Sequence, residues 1–283
     1  MGLSEAGRRV EGKGRVNANG SANSKPAGAA VEVRHCETLA EYEECLRLQD
    51  ITWSEGILVP TAIFIVARET GGQVLGAFAD GKMVGFTMAL AGVHEGKSFL
   101  HSHMTAVLEG YRDRGVGRAL KLFQRKDALA RGMHLVEWTF DPLELRNAYF
   151  NFERLGAIAR RFIPNCYGIT ESPLHSGMPT DRLVAEWWLD SPRVMRLQGE
   201  AGGGAAGAAE ISKDAVAIAI PTNISAIKKD DRAAAEKIQT GVREQFLKWF
   251  AKDYIATRVR TNGSNAEYVL EPARSVAADV FPK

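Results

Sequence analysis

Between residues 31 and 190 the apolar pattern switches repeatedly between a period of two and a period near 3.6. VEVRHCET, from Val31, reads as a strand. LAEYEECLRLQDITW places Leu39, Tyr42, Cys45, Leu46 and Gln49 at helical spacing. PTAIFIVARETGG opens on Pro60 and stops at Gly71–Gly72, the end signals of a second helix. QVLGAFADGKMVGFTMAL is two strands around Asp80–Gly81, a hairpin signal. SFLHSHMTAVL, from Ser98, is another strand. VGRALKLFQRKDALARG is a helix ending at Gly132, with Val116, Ala119, Leu120 and Phe123 as its apolar stripe and Asp127 interrupting it. HLVEWTF is then a strand, and LRNAYFNFERLGA a short helix closing at Gly156.

Strand, helix and strand over residues 98–140 make a βαβ unit with two parallel strands, preceded by an antiparallel hairpin. The fold class that follows is α/β: a mixed sheet covered by helices. Two low-complexity stretches bound it. Residues 1–30 hold almost no large apolar group and predict a disordered tail. AGGGAAGAA, within 199–210, predicts a linker or long loop. Beyond it, DAVAIAIP is strand-like, and DDRAAAEKIQTGVREQFLKWFAKDY is a long helix with Asp230 or Asp231 as N-cap. IATRVRT and AEYVLEP are two closing strands around the turn NGSN. This 211–283 extension either continues the first sheet or forms a small appended layer.

The bulk numbers narrow the function only slightly. With 283 residues and a net charge of +2, nothing favours a general nucleic-acid or membrane surface. No apolar run approaches the roughly 18–20 residues of a membrane span, and the first residues lack the apolar core of a secretory signal. Cys36, Cys45 and Cys166 lack metal-type spacing and read as reduced packing residues of a cytoplasmic protein.

The candidate chemistry lies in YRDRGVGRALK, Tyr111–Lys121, with four basic side chains and two glycines between a strand and a helix. A helix N-terminus offers unpaired backbone N–H groups and partial positive charge. Gly115 and Gly117 let a ligand approach the backbone, and Arg112, Arg114 and Arg118 add formal charge, so the stretch reads as a pyrophosphate cradle. The competing reading is a solvated basic turn. A P-loop would need Lys-Ser/Thr after the second glycine, where Arg118-Ala119 stand. A dinucleotide fingerprint would need a third glycine at Leu120.

AVLEGYRDRGVGRALK, with Arg112-x-x-Gly115-x-Gly117 between an apolar strand end and an amphipathic helix, resembles the GNAT superfamily of acyl-CoA-dependent N-acyltransferases. RNAYFNFERLGA resembles that family's later helix, the order of elements agrees over roughly 31–190, and the resemblance implies an acyltransferase domain over 31–198. LHSHMTAV, WTFDPLELRNAYFNFERLGA, NCYG and PTDRLVAEWWL look like a bacterial branch that includes amino-acid N-succinyltransferases. The resemblance implies a GNAT-like, mostly antiparallel twisted sheet flanked by helices, with 211–283 as a C-terminal extension. It implies acetyl-CoA or succinyl-CoA as co-substrate and no metal. The acceptor would be a primary amine, an amino acid among the candidates. A homodimer is the assembly it allows. The alternative is a non-catalytic acyl-CoA-binding or regulatory module.

On the family's pattern the donor site comprises Arg112, Asp113, Arg114, Gly115, Val116, Gly117 and Arg118. Backbone N–H groups near Val107 and Leu108 would contact the thioester carbonyl. Asn147 either bonds the cofactor's amide groups or caps its helix. Many relatives carry a tyrosine four residues before the closing glycine; here that position is Phe152, which has no hydroxyl. Tyr149, one helical turn earlier, is the substitute acid or a packing residue. Tyr167 and solvent are the other proton sources. His101 and His103 share a strand face; His103 is the candidate base, against a hydrogen-bonded histidine pair. Glu137 would relay a proton through water or hold a salt bridge. Arg146 or Arg182 would grip a substrate carboxylate, or Arg182 would pair with Asp181.

Overall fold

The computed structural model describes residues 31–53, 58–169, 177–199 and 210–282. The tail expected at 1–30 and most of the linker expected at 199–210 lie outside them.

Ten strands form one sheet in the order β1-β2-β3-β4-β5-β7-β6-β9-β10-β8. They are β1 Glu32–His35, β2 Gln73–Ala79, β3 Lys82–His94, β4 Lys97–Val107, β5 Leu135–Phe140, β6 Ile158–Ile163, β7 Arg182–Trp188, β8 Val216–Pro221, β9 Tyr254–Asn262 and β10 Asn265–Pro272. The helices are α1 Leu39–Trp53, α2 Thr61–Glu69, α3 Val116–Ala130, α4 Leu145–Tyr149, α5 Pro192–Leu197, α6 Ile224–Asp230, α7 Arg232–Phe250 and α8 Ala273–Val280. All strand pairings are antiparallel except β4 with β5. The mixed, largely antiparallel α/β sheet flanked by helices is the GNAT fold expected from the sequence.

Strand alternation decides which helix each side chain meets. Val74 and Phe78 of β2 pack with Tyr42, Cys45 and Leu48 of α1 and Phe64 of α2. Leu75, Ala77 and Ala79, one residue out of phase, pack with Val116 and Leu120 of α3. The β2–β3 turn is Asp80–Gly81, with φ of 49° and 73°, the left-handed pair a two-residue hairpin requires. Asp127 breaks the α3 stripe because it faces polar partners: it accepts from Gln73 Nε2 at 2.6 Å and lies 3.1 Å from His35 Nε2.

The C-terminal extension continues the sheet. β9 meets β6 at Ala159 and Ala256, and β10 and β8 follow. Ile218 of β8, Phe246 of α7 and Tyr268 of β10 share one buried cluster with Phe140, Phe152 and Trp187. The Tyr268 hydroxyl donates to Pro142 O at 2.7 Å. Asp231 caps α7 by accepting from Ala234 N at 3.0 Å.

Phe246 is fully buried and joins the two parts of the sheet. Phe246→Ala should therefore destabilise the whole chain by about 3–5 kcal/mol. In urea, far-ultraviolet dichroism and fluorescence of the buried tryptophans should report one shared transition. Separate transitions would show that residues 211–282 fold apart from the rest.

Candidate active site

The site begins where β4 and β5 part. They pair in parallel only at Leu100–Val136 and His101–Glu137. On its other edge β4 carries a bulge: Met88 of β3 faces Met104, Ala89 faces Ser102, and His103 is the extra residue. A bulge bends its strand and leaves backbone groups outside the ladder. The bend opens a cleft of about 800 Å³ lined by Ser102–Thr105 of β4 and Trp138–Phe140 of β5, with α1, α3, α4 and Tyr167 around it.

One end of the cleft is the glycine loop. A short 3₁₀ turn, Glu109–Tyr111, leads to Arg112 in extended conformation, and Asp113 and Gly115 take φ of 60° and 82°. Alternation of backbone hand turns successive N–H groups inward. Gly115 is the N-cap of α3 and makes no side-chain cap, so the first amides of this fifteen-residue helix stay open to a ligand. Arg112 and Gly117 line the cleft. Arg112 Nε donates to Val107 O at 3.1 Å, which fixes the side chain across the strand end. Arg114 lies over the Tyr111 ring and Arg118 bonds Gln198. Asp113 pairs with Arg146, so that arginine ties the loop to α4. Val116 is buried beneath the loop. Leu108 N–H donates to Val84 O at 2.9 Å and Val107 pairs with Gly85, which leaves the bulge as the place where β4 backbone groups are outside the ladder.

At the middle of the cleft, α4 continues into a π-helical turn, Phe150–Leu155, that closes at Gly156 with φ of 82°. Its end carbonyls are satisfied from within: buried Arg193 donates to Phe152 O at 3.0 Å and Gly156 O at 3.2 Å. The wider turn rotates Phe152 into the core, its ring 6.2 Å from Phe140 and 5.8 Å from Tyr268. Asn147 and Asn151 line the cleft instead. Asn151 is 4% exposed, and its buried Nδ2 has no protein partner. Tyr149 lies outside the cleft lining, 47% exposed, with Arg154 over its ring.

His103 lines the cleft and its ring lies 6.4 Å from His101. Burial lowers the pKa of His103. His101 is lowered by burial and then by the charges of His103, Lys121 and Arg161. Both rings are therefore held neutral near pH 7. Glu137 pairs with Arg161, which also meets Glu186 at 3.2 Å, so this carboxylate sits in an ion-pair network outside the cleft lining. The Tyr167 hydroxyl lies 2.8 Å from Thr139 Oγ1, and Arg182 lies over the Tyr167 ring. Asp181 is held by Arg243, at 2.8 Å, and Arg182 donates to the Asp181 backbone carbonyl at 3.0 Å.

Sequence reading passed over Lys121. It is only 5% exposed, donates to Ser102 Oγ at 2.7 Å and Gln124 Oε1 at 3.0 Å, and lies 4.2 Å from the Trp138 ring centroid. Burial lowers its pKa to about 7. The available signal was spacing: Lys121, Gln124 and Ala128 repeat at i, i+3 and i+7, a buried helical stripe that carries polar groups.

The Acetyltransferase (GNAT) family model matches residues 33–157. Over those residues, less than half of the chain, it is similar to a GNAT acetyltransferase domain, which supports acyl-CoA-dependent transfer of an acyl group to an amine. No curated protein matches the chain. Solved structures resemble part of the chain at low identity. The ribosomal-protein-S18-alanine N-acetyltransferase from Escherichia coli is 16% identical with a TM-score of 0.45, over 56% of this chain and 92% of that one. Arabidopsis thaliana Naa50, in complex with the bisubstrate analogue CoA-Ac-MVNAL, is 16% identical with a TM-score of 0.46, over 55% and 97%. Among the described residues no group of His, Cys, Asp and Glu is placed to hold a metal, and no helix is long and apolar enough to cross a membrane.

Lys121 gives the GNAT domain a measurable pH signature. In the unfolded chain it titrates near 10.5, in the folded chain near 7. Between these values the unfolded state binds the proton that the folded state lacks, so this residue's contribution to stability falls as pH drops from 10.5 to 7 and is constant below. Lys121→Met should accordingly gain more stability over wild type at neutral pH than near the unfolded value. Thermal melts across pH check this; a pH-independent difference would contradict it.

Proposed function

We propose that the chain transfers an acetyl or succinyl group from its CoA thioester to the primary amine of a small carboxylate-bearing molecule such as an amino acid. The observation that carries this reading is the parting of β4 from β5, with the open N-terminus of α3 at one end and neutral His103 beside the gap.

The pyrophosphate of the donor lies on the first turn of α3, met by backbone N–H groups and Arg112. The pantetheine arm runs along the gap, where the buried Asn151 amide and Asn147 supply hydrogen bonds. The thioester carbonyl sits at the bulge. The acceptor enters from the side of His103, Thr139 and Tyr167. His103 takes a proton from its ammonium, and the neutral amine attacks the carbonyl carbon. Charge grows on the carbonyl oxygen and is met by backbone N–H groups of the bulge. The nitrogen sheds its second proton to solvent, and the carbon–sulfur bond breaks, leaving the amide and CoA thiolate. Holding both reactants in one cleft supplies several kcal/mol of the barrier. Arg182 lines the acceptor side, and its planar guanidinium suits a carboxylate.

The test is thiol release from acetyl-CoA and succinyl-CoA with a panel of D- and L-amino acids, on wild type and Gly117→Val. A Cβ at Gly117 would meet only Val107, at 4.0 Å, so the fold tolerates the change while the added bulk stands on the phosphate path. The variant should keep its dichroism spectrum and raise the donor KM roughly tenfold, equivalent to about 1.4 kcal/mol. An unchanged donor KM would contradict the phosphate cradle. No turnover with any amine, with CoA still bound, would contradict the acceptor class.

A further inference from the structure

We propose that Lys121 is the acid of the reaction, donating the proton that the departing CoA thiolate takes up. This rests on the reading of the cleft as the acyl-CoA site.

The place is set by backbone geometry. His101 and Glu137 are the last residues at which β4 and β5 pair; Ser102 and Trp138 are the first beyond them. Lys121 reaches up from α3 into this opening, bonded to Ser102 Oγ at 2.7 Å and stacked on the Trp138 ring at 4.2 Å. Ser102, Trp138 and Lys121 all line the cleft, next to the bulge that meets the thioester carbonyl. The sulfur is bonded to that carbonyl carbon. A donor arm entering from the α3 side therefore places its sulfur beside the Lys121 ammonium.

Other cleft groups do not fill the role. Phe152 has no hydroxyl and faces the core. Tyr149 lies outside the lining. Tyr167 is bonded to Thr139 on the acceptor side. Asp141 and Glu144 are paired with Lys228 at 2.9 and 3.2 Å. Arg112 is held to Val107 O at the loop end of the cleft, at 3.1 Å. Lys121 has no carboxylate partner among the described residues; Ser102, Gln124 and Trp138 face it, and its charge is felt by His101 on β4. A buried ammonium without a counter-ion is costly unless it serves a purpose. A growing thiolate supplies the missing negative charge, and only at the stage where it is useful.

The step balances. The amine nitrogen forms its bond to carbon, the carbon–sulfur bond breaks with both electrons on sulfur, and one N–H proton of Lys121 passes to that sulfur. The lysine is left neutral and regains a proton from solvent after CoASH departs. The acceptor loses two protons: the first leaves its ammonium through His103, and the second, shed by the nitrogen as the amide forms, passes to solvent. An ammonium acid of pKa about 7 is stronger than a thiol of about 8.5, so transfer runs downhill.

The test is the pH dependence of turnover, read as thiol release at saturating donor with the best amine of the panel above. In wild type kcat should fall on its basic side as Lys121 loses its proton near pH 7. In Lys121→Met kcat at pH 7 should drop about 100-fold and the basic limb should vanish, while the Kd for CoA stays within about threefold of wild type. Ser102→Ala, which removes the oxygen that holds Nζ, should move the limb to lower pH. A wild-type kcat without this limb, or a limb that survives in Lys121→Met, overturns the proposal while leaving the acyl-CoA site standing. Failure of wild type to bind CoA at all overturns the site reading and this proposal with it.

Discussion

Everything in the cleft depends on two neighbouring strands failing to stay paired. β4 and β5 share two residue pairs and then separate, because an extra residue in β4 at His103 bends it away. A parallel pair that continued would have closed its hydrogen bonds from edge to edge and left no room for a ligand. The gap lies directly over α3, whose N-terminus is left uncapped by a glycine and whose second turn carries the buried lysine. The proposed phosphate recognition, carbonyl activation and leaving-group protonation all draw on one strand, one bulge and one helix.

The elements that specify their own ends were legible in the sequence. Pro60 and Gly71–Gly72 bounded α2, Asp80–Gly81 made the β2–β3 turn, and Asp231 capped α7. The glycine loop was legible for the same reason, since positive φ at Gly115 is a local requirement. What escaped depends on contacts distant in sequence. Counting residues back from Gly156 assumes a regular α-helix, but the π turn changes which side chains face the cleft, burying Phe152 and presenting Asn151. Lys121 escaped because a lysine on an amphipathic helix is ordinarily solvated; its burial is imposed by Ser102 and Trp138 on strands 19 and 17 residues away. β6 and the short helices α6 and α8 carry few end signals and are held by packing, whereas α5 opens on a Ser191 cap and Pro192 that the reading passed over.

The C-terminal strands act on the site without entering it. Lys228 of α6 holds Asp141 and Glu144 on the segment that leads from β5 into α4. Tyr268 donates to Pro142 in the same segment, and Arg243 of α7 donates to both carboxylate oxygens of Asp181, just before β7. Several of these contacts are half-buried ion pairs, whose value lies more in fixing geometry than in net stability. Their common effect is to fix the far wall of the gap that the β4 bulge opens.

The central claim is that the gap between β4 and β5 holds the donor, with the phosphates at the start of α3 and the sulfur at the point of parting. A crystal structure of the CoA complex tests it most directly. The account predicts pyrophosphate on the backbone of residues 113–118 and the sulfur between Ser102 and Trp138, beside Lys121. CoA bound elsewhere on the sheet, or with its sulfur on the side of β4 away from Lys121, would contradict it.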